Sequence, residues 1–308
     1  MIRRIFTKDQ STRRLYNNGE RTSSNNAERA SINGPYLKLH TRIRATSGWA
    51  ALSPQALWSC RELLYFLTWR DLKVRYAQTA LGAVWAVLQP LSMMFLFTVL
   101  FSRLSGLATA ETPYPLFAYA GLLPWTFFSN AISHGGHSLV GSAHIITKVY
   151  FPRMLIPIAA VLSGLVDLRL GLAVLIPLMF FYRAAPTWQL LGLPVAIGLI
   201  TVAALGTGIW IAAVNVKYRD VRFALPFIVQ LWLFASPVFY SSDRLPERWR
   251  WVMAVNPVAA PIEVFRSSLL GLPMNQQLLW ISGGATIVLL AIAAWTFRRI
   301  ERSFADIV

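Results

Sequence analysis

Six runs of the chain are long, apolar and almost free of charge: Leu81–Phe101, Leu116–Ile132, Leu155–Phe181, Leu190–Val214, Phe223–Tyr240 and Leu278–Phe297. Nothing else in the sequence restricts the fold as much. A helix needs about 20 apolar residues to cross the roughly 30 Å of hydrocarbon in a bilayer, and each run approaches or exceeds that, some with tilt. In hydrocarbon the backbone has no water to bond to, so a run of this kind must be helical. Pro and Gly inside the runs are tolerated because neighbouring helices re-satisfy the freed groups. The fold expected is an all-α integral membrane protein with six transmembrane helices. Composition agrees, with 56% hydrophobic and 14% charged residues, where a soluble domain carries about 25% charged. The net charge of +16 suggests nucleic acid in a soluble protein. In a membrane chain it is the ordinary excess of cytoplasmic Lys and Arg, so no nucleic-acid partner is expected. The single cysteine, Cys60, excludes an internal disulfide and a thiolate metal cluster.

Residues 1–50 read as a polar, largely disordered cytoplasmic extension, rich in Lys, Arg, Ser and Asn. Residues 51–80 hold an amphipathic helix over Leu57–Tyr76, with Leu64, Leu67, Trp69, Leu72 and Tyr76 set against Arg61, Arg70, Asp71, Lys73 and Arg75. That pattern suits the headgroup layer. Six spans after a cytoplasmic tail put both termini inside. Twelve Lys/Arg then flank the spans on the inner side (Arg61, Arg70, Lys73, Arg75, Lys148, Arg153, Lys217, Arg219, Arg222, Arg298, Arg299, Arg302). Five lie outside: Arg103, Arg183, Arg244, Arg248 and Arg250. The bias supports N-in and C-in.

Four features carry chemistry. The inner loop Gly141–Arg153 contains Ile145, Ile146, Lys148, Val149, Tyr150 and Phe151, a short amphipathic stretch with reason either to bind a protein or to lie on the membrane. Ser241–Asn275 is too apolar for a free loop and too broken for a span, and reads as two short re-entrant half-helices between spans five and six, gating an exit or plugging the bundle. There Trp249 and Trp251 favour the interface. Asn256-Pro257 starts the second half-helix, Glu263 and Arg266 share a face, and Gly271 ends it. Trp85 with Gln89, and Phe223, Phe227, Gln230 and Phe234, form stripes of aromatics and amides able to contact sugars or to pack against helices. Asp167 and Arg169 fall inside span three and, two residues apart, point to different faces, so each needs a partner on another helix or a wet cavity. No Walker phosphate loop, His-Glu-x-x-His, Cys-x-x-Cys or Gly-x-Ser-x-Gly occurs, so no enzyme is expected, and no metal spacing is convincing.

Several segments taken together resemble a known family. They are Trp-Arg-Asp-Leu-Lys-Val-Arg-Tyr (69–76), Leu-Gly-x-x-Trp-Ala-x-Leu-x-Pro-Leu (81–91) and Ile-Thr-Lys-Val-Tyr-Phe-Pro-Arg (146–153). Tyr-Arg-Asp-Val (218–221), Ser-Pro-Val-Phe-Tyr (236–240) and Asn-Pro (256–257) with Glu263, Arg266 and Gly271 follow in order. The set is similar to the membrane subunit of type-2 ATP-binding-cassette exporters of polysaccharides such as O-antigen, capsule and teichoic acid. The resemblance implies a type-2 transmembrane domain over 81–302 and a homodimer in the bacterial inner membrane. It implies two copies of a separate ATPase subunit holding ATP and Mg, this chain having no cofactor. The implied substrate is a lipid-linked polysaccharide. Carried over, Arg70, Asp71 and Arg75 lie on the interface helix, Ile145, Ile146, Lys148, Tyr150 and Phe151 on the coupling helix, and Tyr218, Arg219 and Asp220 near the same ATPase. Trp85, Gln89, Phe223, Phe227, Gln230 and Phe234 would line the substrate path. Trp249, Trp251, Asn256, Pro257, Glu263 and Arg266 would form the outer gate. The alternatives are export of a small hydrophobic compound, or an enzyme acting on polyprenyl-linked sugars.

Overall fold

A computed structural model describes residues 58–77, 84–103, 113–146, 151–184, 187–242 and 245–301, with Gly82 and Lys148 besides. The extension over 1–50 and the coupling-loop residues Val149 and Tyr150 lie outside the described residues. Every regular element described is helical: α1 (Arg61–Tyr76), α2 (Val84–Arg103), α3 (Tyr114–Gly141), α4 (Ala143–Ile146), α5 (Leu155–Phe181), α6 (Leu193–Lys217), α7 (Val221–Phe234), α8 (Glu247–Val255), α9 (Ala259–Leu270) and α10 (Gln276–Glu301). A 3₁₀ turn, Trp188–Gly192, leads into α6.

The core is built around α3. Leu116, Phe117, Ala118, Tyr119, Ala120, Phe128 and Ile132 are almost wholly buried, on all sides of the helix, as expected of one enclosed by neighbours. The helices α2, α5, α6, α7 and α9 pack on it, and α10 packs on α6. Small residues let backbones approach: a Cβ on Gly135 would sit 3.5 Å from the Gly208 Cα, and one on Gly206 would sit 3.2 Å from the Leu290 nitrogen. Such close approach is how helices associate where apolar surface alone gives no preference.

Among the described residues, three stretches are long and apolar enough to cross a membrane: α5, Trp188–Lys217 and α10. The apolar part of α2, Val84–Leu100, and α7 are shorter. The sequence predicts a span over Phe223–Tyr240, but α7 stops at Phe234. Beyond it, Ala235–Tyr240 is a turn whose carbonyls are taken from outside the helix: Arg266 donates to Pro237 O at 3.0 Å, to Val238 O at 2.7 Å and to Tyr240 O at 3.4 Å. Conversely α3 runs nine residues past the predicted end at Ile132. Ser133 and Ser138 bond back to carbonyls of their own helix, and Asn215 of α6 donates to Gly136 O at 2.8 Å.

Two short helices occupy the stretch predicted for half-helices. The second becomes regular at Ala259 rather than at Asn256-Pro257, but Asn256 does act ahead of it, its Oδ1 accepting the Val258 N–H at 3.1 Å across Pro257. The same amide also ties α7 to the start of α9, with bonds to Trp232, Ala235 and Ser236 between 3.0 and 3.1 Å. Gly271 ends α9 as predicted, at φ +71°, a conformation that favours glycine.

Candidate functional site

At the α4 end of the bundle, α1 is docked along the base of α5. Leu67 packs with Leu155 and Ala159, with Cys60, Leu63, Leu64 and Phe151 around them. Two turns further on, Arg75 donates to Ser163 Oγ at 2.8 Å and pairs with the Asp167 carboxylate, which also accepts the Tyr76 hydroxyl. The contact advances eight residues along α1, from Leu67 to Arg75, and a matching distance along α5. The two helices therefore run side by side, unlike the free surface helix that the amphipathic pattern suggests. The other face of α1 presents Tyr65, Phe66, Trp69 and Val74, all exposed. Burial and the Asp167 carboxylate push the Tyr76 phenol well above its ordinary pKa, so the hydroxyl stays a donor. Arg70 pairs instead with its neighbour Asp71 at 2.8 Å.

The two helix turns nearest this end hold the remaining inner-loop residues. Ile145 and Ile146 are half-buried, and Ile146 and Phe151 pack on the apolar cluster of Leu139, Met154 and Phe297. Lys148 is exposed. Tyr218, Arg219 and Asp220 are exposed on the turn from α6 to α7, where the Lys217 ammonium lies 5.1 Å from the Tyr218 ring. Asp167 has the interhelical partner its position in an apolar run demanded. Arg169, two residues on, is exposed on the opposite side of α5.

The aromatic and amide stripes are exposed on the single chain. Trp85 and Gln89 lie on the free face of α2, and Phe223, Phe227, Gln230 and Phe234 on that of α7. Both helices lean on α3 by their other faces. Phe128 of α3 meets Trp232 edge-on at 5.2 Å, and Phe97 of α2 stacks on Phe239 at 3.5 Å.

At the opposite end of α6, Arg266 is the structural centre. It is only 2% exposed, and its guanidinium carbon lies 3.7 Å from the centre of the Phe117 ring. With the three carbonyls it holds, it ties α9 to the end of α7. Gly121 makes room for it: a Cβ there would run into the guanidinium and come within 2.6 Å of Val238 O. Glu263 accepts the Ser242 backbone N–H at 2.9 Å. Pro257 is half-buried, and its carbonyl accepts the Thr286 hydroxyl of α10 at 3.2 Å. Trp249 and Trp251 of α8 stand exposed. The spacing puts Glu263 and Arg266 on one face but does not reveal what Arg266 holds. The available signal was a charged residue in an apolar helix following the proline-broken Ser236–Tyr240.

The model of the ABC-2 type transporter family matches residues 62–270, from the second residue of α1 to the last of α9. Among curated proteins, the O-antigen export system permease protein RfbA of Klebsiella pneumoniae is 30% identical over 253 residues, covering 80% of this chain and 95% of that one. The RfbA protein of Myxococcus xanthus is 28% identical over 254 residues, covering 81% and 96%. The polysialic acid transport protein KpsM of Escherichia coli is 21% identical over 206 residues, covering 65% and 78%. The docked α1, the α4 loop and the α8–α9 pair all fall inside the matched region, and the chain belongs to the ABC-2 type transporter family.

Proposed function

We propose that this chain is the membrane subunit of an ATP-driven exporter that moves a lipid-linked polysaccharide of the O-antigen or capsule class across the bacterial inner membrane. The observation that carries this reading is relatedness over almost the whole of two O-antigen permeases, 95% and 96% of their lengths. The working unit is a homodimer with two ATPase subunits, which hold ATP and Mg. The six spans are α2, α3, α5, α6, α7 and α10, with both termini cytoplasmic. At 14 residues α7 is about 21 Å long, too short to cross alone, and α8 and α9 complete the outer half as re-entrant gate helices.

In this reading the substrate path runs along the free faces of α2 and α7. Ring faces of Trp85, Phe223, Phe227 and Phe234 stack on the C–H faces of pyranoses, while Gln89 and Gln230 bond hydroxyls. A second copy encloses these faces. The ATPase meets Ile145, Ile146, Lys148, Tyr150 and Phe151, with Arg70, Asp71 and Tyr218–Asp220 at the margin. ATP-driven closure of the partner draws the two coupling loops together. The Arg75–Asp167 contact makes α1 and α5 move as one body, so the displacement reaches the spans. At the far end, Arg266, Asn256, Pro257 and Glu263 hold the gate helices to α7 and α10, and Trp249 and Trp251 face the outer interface.

The test is transport by the complex purified through a tag on this chain and placed in lipid vesicles. ATP-dependent transfer of lipid-linked polysaccharide is expected. Transfer of a small hydrophobic dye with no polysaccharide moved, or chemical change of a polyprenyl-linked sugar, overturns the reading.

A further inference from the structure

Between α8 and the start of α10 lies a cavity of about 100 Å³ that the path along α2 and α7 does not use. We infer that it is a saccharide-binding subsite that takes one neutral hexopyranose, on the rim of the gate helices. The inference rests on the export reading for the source of the sugar, and on the cavity itself for the chemistry.

Ser242 is 2% exposed, lines the cavity, and its Oγ has no hydrogen-bond partner among the described residues. Buried hydroxyls are almost always paired, so an orphan on a residue that lines a cavity points to a missing ligand group. The other polar lining residues complement it. Glu247 supplies acceptors. Arg250 donates its Nε to Leu245 O at 3.0 Å, which fixes the guanidinium at the edge. Asn275 uses its Oδ1 to accept the Leu278 N–H at 3.2 Å, which leaves its amide N–H groups as donors, and Gln277 adds a second amide. Trp251, 64% exposed, contributes an indole to one wall.

This mixture selects a ligand class. Sugar hydroxyls donate and accept at once, and the site offers both. The charges of Glu247 and Arg250 cancel, so no net charge attracts a phosphate, and the Glu247 carboxylate repels one. An acyl chain would leave these polar groups desolvated and unpaired. An indole beside hydrogen-bonding groups matches a pyranose, whose C–H face is apolar and whose edge is not. One water needs roughly 10–15 Å³ on the same scale, so the cavity admits several polar groups, a large part of one ring but not a longer segment. A ligand of this size binds weakly, as a subsite on a passing chain must if the chain is to leave.

The test uses the intact transporter complex in lipid nanodiscs, with saturation-transfer NMR on the methyl glycosides of mannose, galactose, glucose and N-acetylglucosamine, and inorganic phosphate as competitor. At least one glycoside is expected to show saturation transfer that phosphate does not displace. The signal is expected to fall at least about fivefold in Ser242→Ala and in Trp251→Ala. Ser242→Ala removes a hydroxyl with no partner among the described residues and Trp251→Ala an exposed ring, and an unchanged unfolding temperature establishes that each variant is folded. Absence of transfer to every glycoside, an undiminished signal in both folded variants, or displacement by phosphate overturns the subsite. If the wild-type complex exports polysaccharide yet shows no such binding, the subsite alone falls. If it binds glycosides but exports no polysaccharide, the export reading falls and the site stands as a sugar site of another transporter.

Discussion

Replacing Asp167 with Asn tests whether the α1–α5 contact is the joint that fixes α1. The side chains of Arg75 and Asp167 are 18% and 13% exposed, nearer a buried pair than a surface one. An exposed pair contributes less than about 1 kcal/mol. Removing one partner of a buried pair costs about 3–5 kcal/mol, because the other charge is left uncompensated. For Asp167→Asn we expect about 3 kcal/mol, since the amide still accepts one bond and Arg75 keeps its bond to Ser163. In a chain of this size each kcal/mol shifts the unfolding temperature by roughly 2–4 °C, so the drop is about 6–12 °C. Tyr76→Phe removes one bond to a charged acceptor and is expected to cost about 1.5–3 kcal/mol. The double variant Arg75→Leu with Asp167→Leu removes both charges and is expected to be less destabilised than the sum of the single changes. The assay is thermal unfolding in detergent, with ATPase rate and export measured on the same samples. Asp167→Asn is expected to lower export per ATP hydrolysed more than ATPase rate itself. An unfolding temperature within about 1 °C of wild type, or full additivity in the double variant, would refute the joint.

Four further outcomes are expected. Gly121→Ala places a methyl against Val238 O and the Arg266 guanidinium, and overpacking of this kind is expected to cost about 1–3 kcal/mol, read as a lower unfolding temperature. Arg266→Met leaves three carbonyls of the Pro237–Tyr240 turn without their donor, so hydrogen exchange over α8 and α9 is expected to rise at least tenfold while α3 and α6 keep their protection. Lys148→Glu with Tyr150→Glu is expected to uncouple export with the protein still inserted, and Trp85→Ala with Phe234→Ala to slow export without loss of assembly, both read in the vesicle assay.

Where residue type alone decided the outcome, the fold was legible. The α5 run is legible to the residue because its apolar residues continue on both sides of Asp167 and Arg169, which do not break the helix, and Gly271 is legible as a helix end because only its backbone favours φ +71°. Legibility failed where a distant group intervened. Asn256 is an excellent cap in sequence and does accept the Val258 N–H. Nothing in the local pattern shows that its Oδ1 also accepts from Trp232 and its Nδ2 donates to Ser236, nor that the regular helix waits until Ala259. Phe223–Tyr240 is one apolar run, but Pro237 and a guanidinium 26 to 29 residues away turn its last third into a bend. Arg75 reads as part of the polar face and Tyr76 as part of the apolar one, because their shared partner, Asp167, is more than 90 residues away. In each case the missing information is long-range hydrogen bonding, which periodicity does not encode.

That division bears on how the chain works. The bundle is fastened at two levels by a side chain reaching across the fold, Asp167 midway along α5 and Arg266 at the α8–α9 end. Beside them, α2 and α7 keep an aromatic and amide face that no part of the described chain covers. An amide on an apolar helix is costly if it faces lipid, and Gln89 and Gln230 both lie on these uncovered faces. Two fastened levels with two open faces beside them form half of an enclosure, and this is why we place a second copy and a hydrated sugar chain there. Were lipid the true neighbour of these faces, changing Gln89 and Gln230 to Leu would stabilise the protein and leave export intact. In a sugar path the same change leaves hydroxyls unpaired and slows export, and that difference in sign separates the two arrangements.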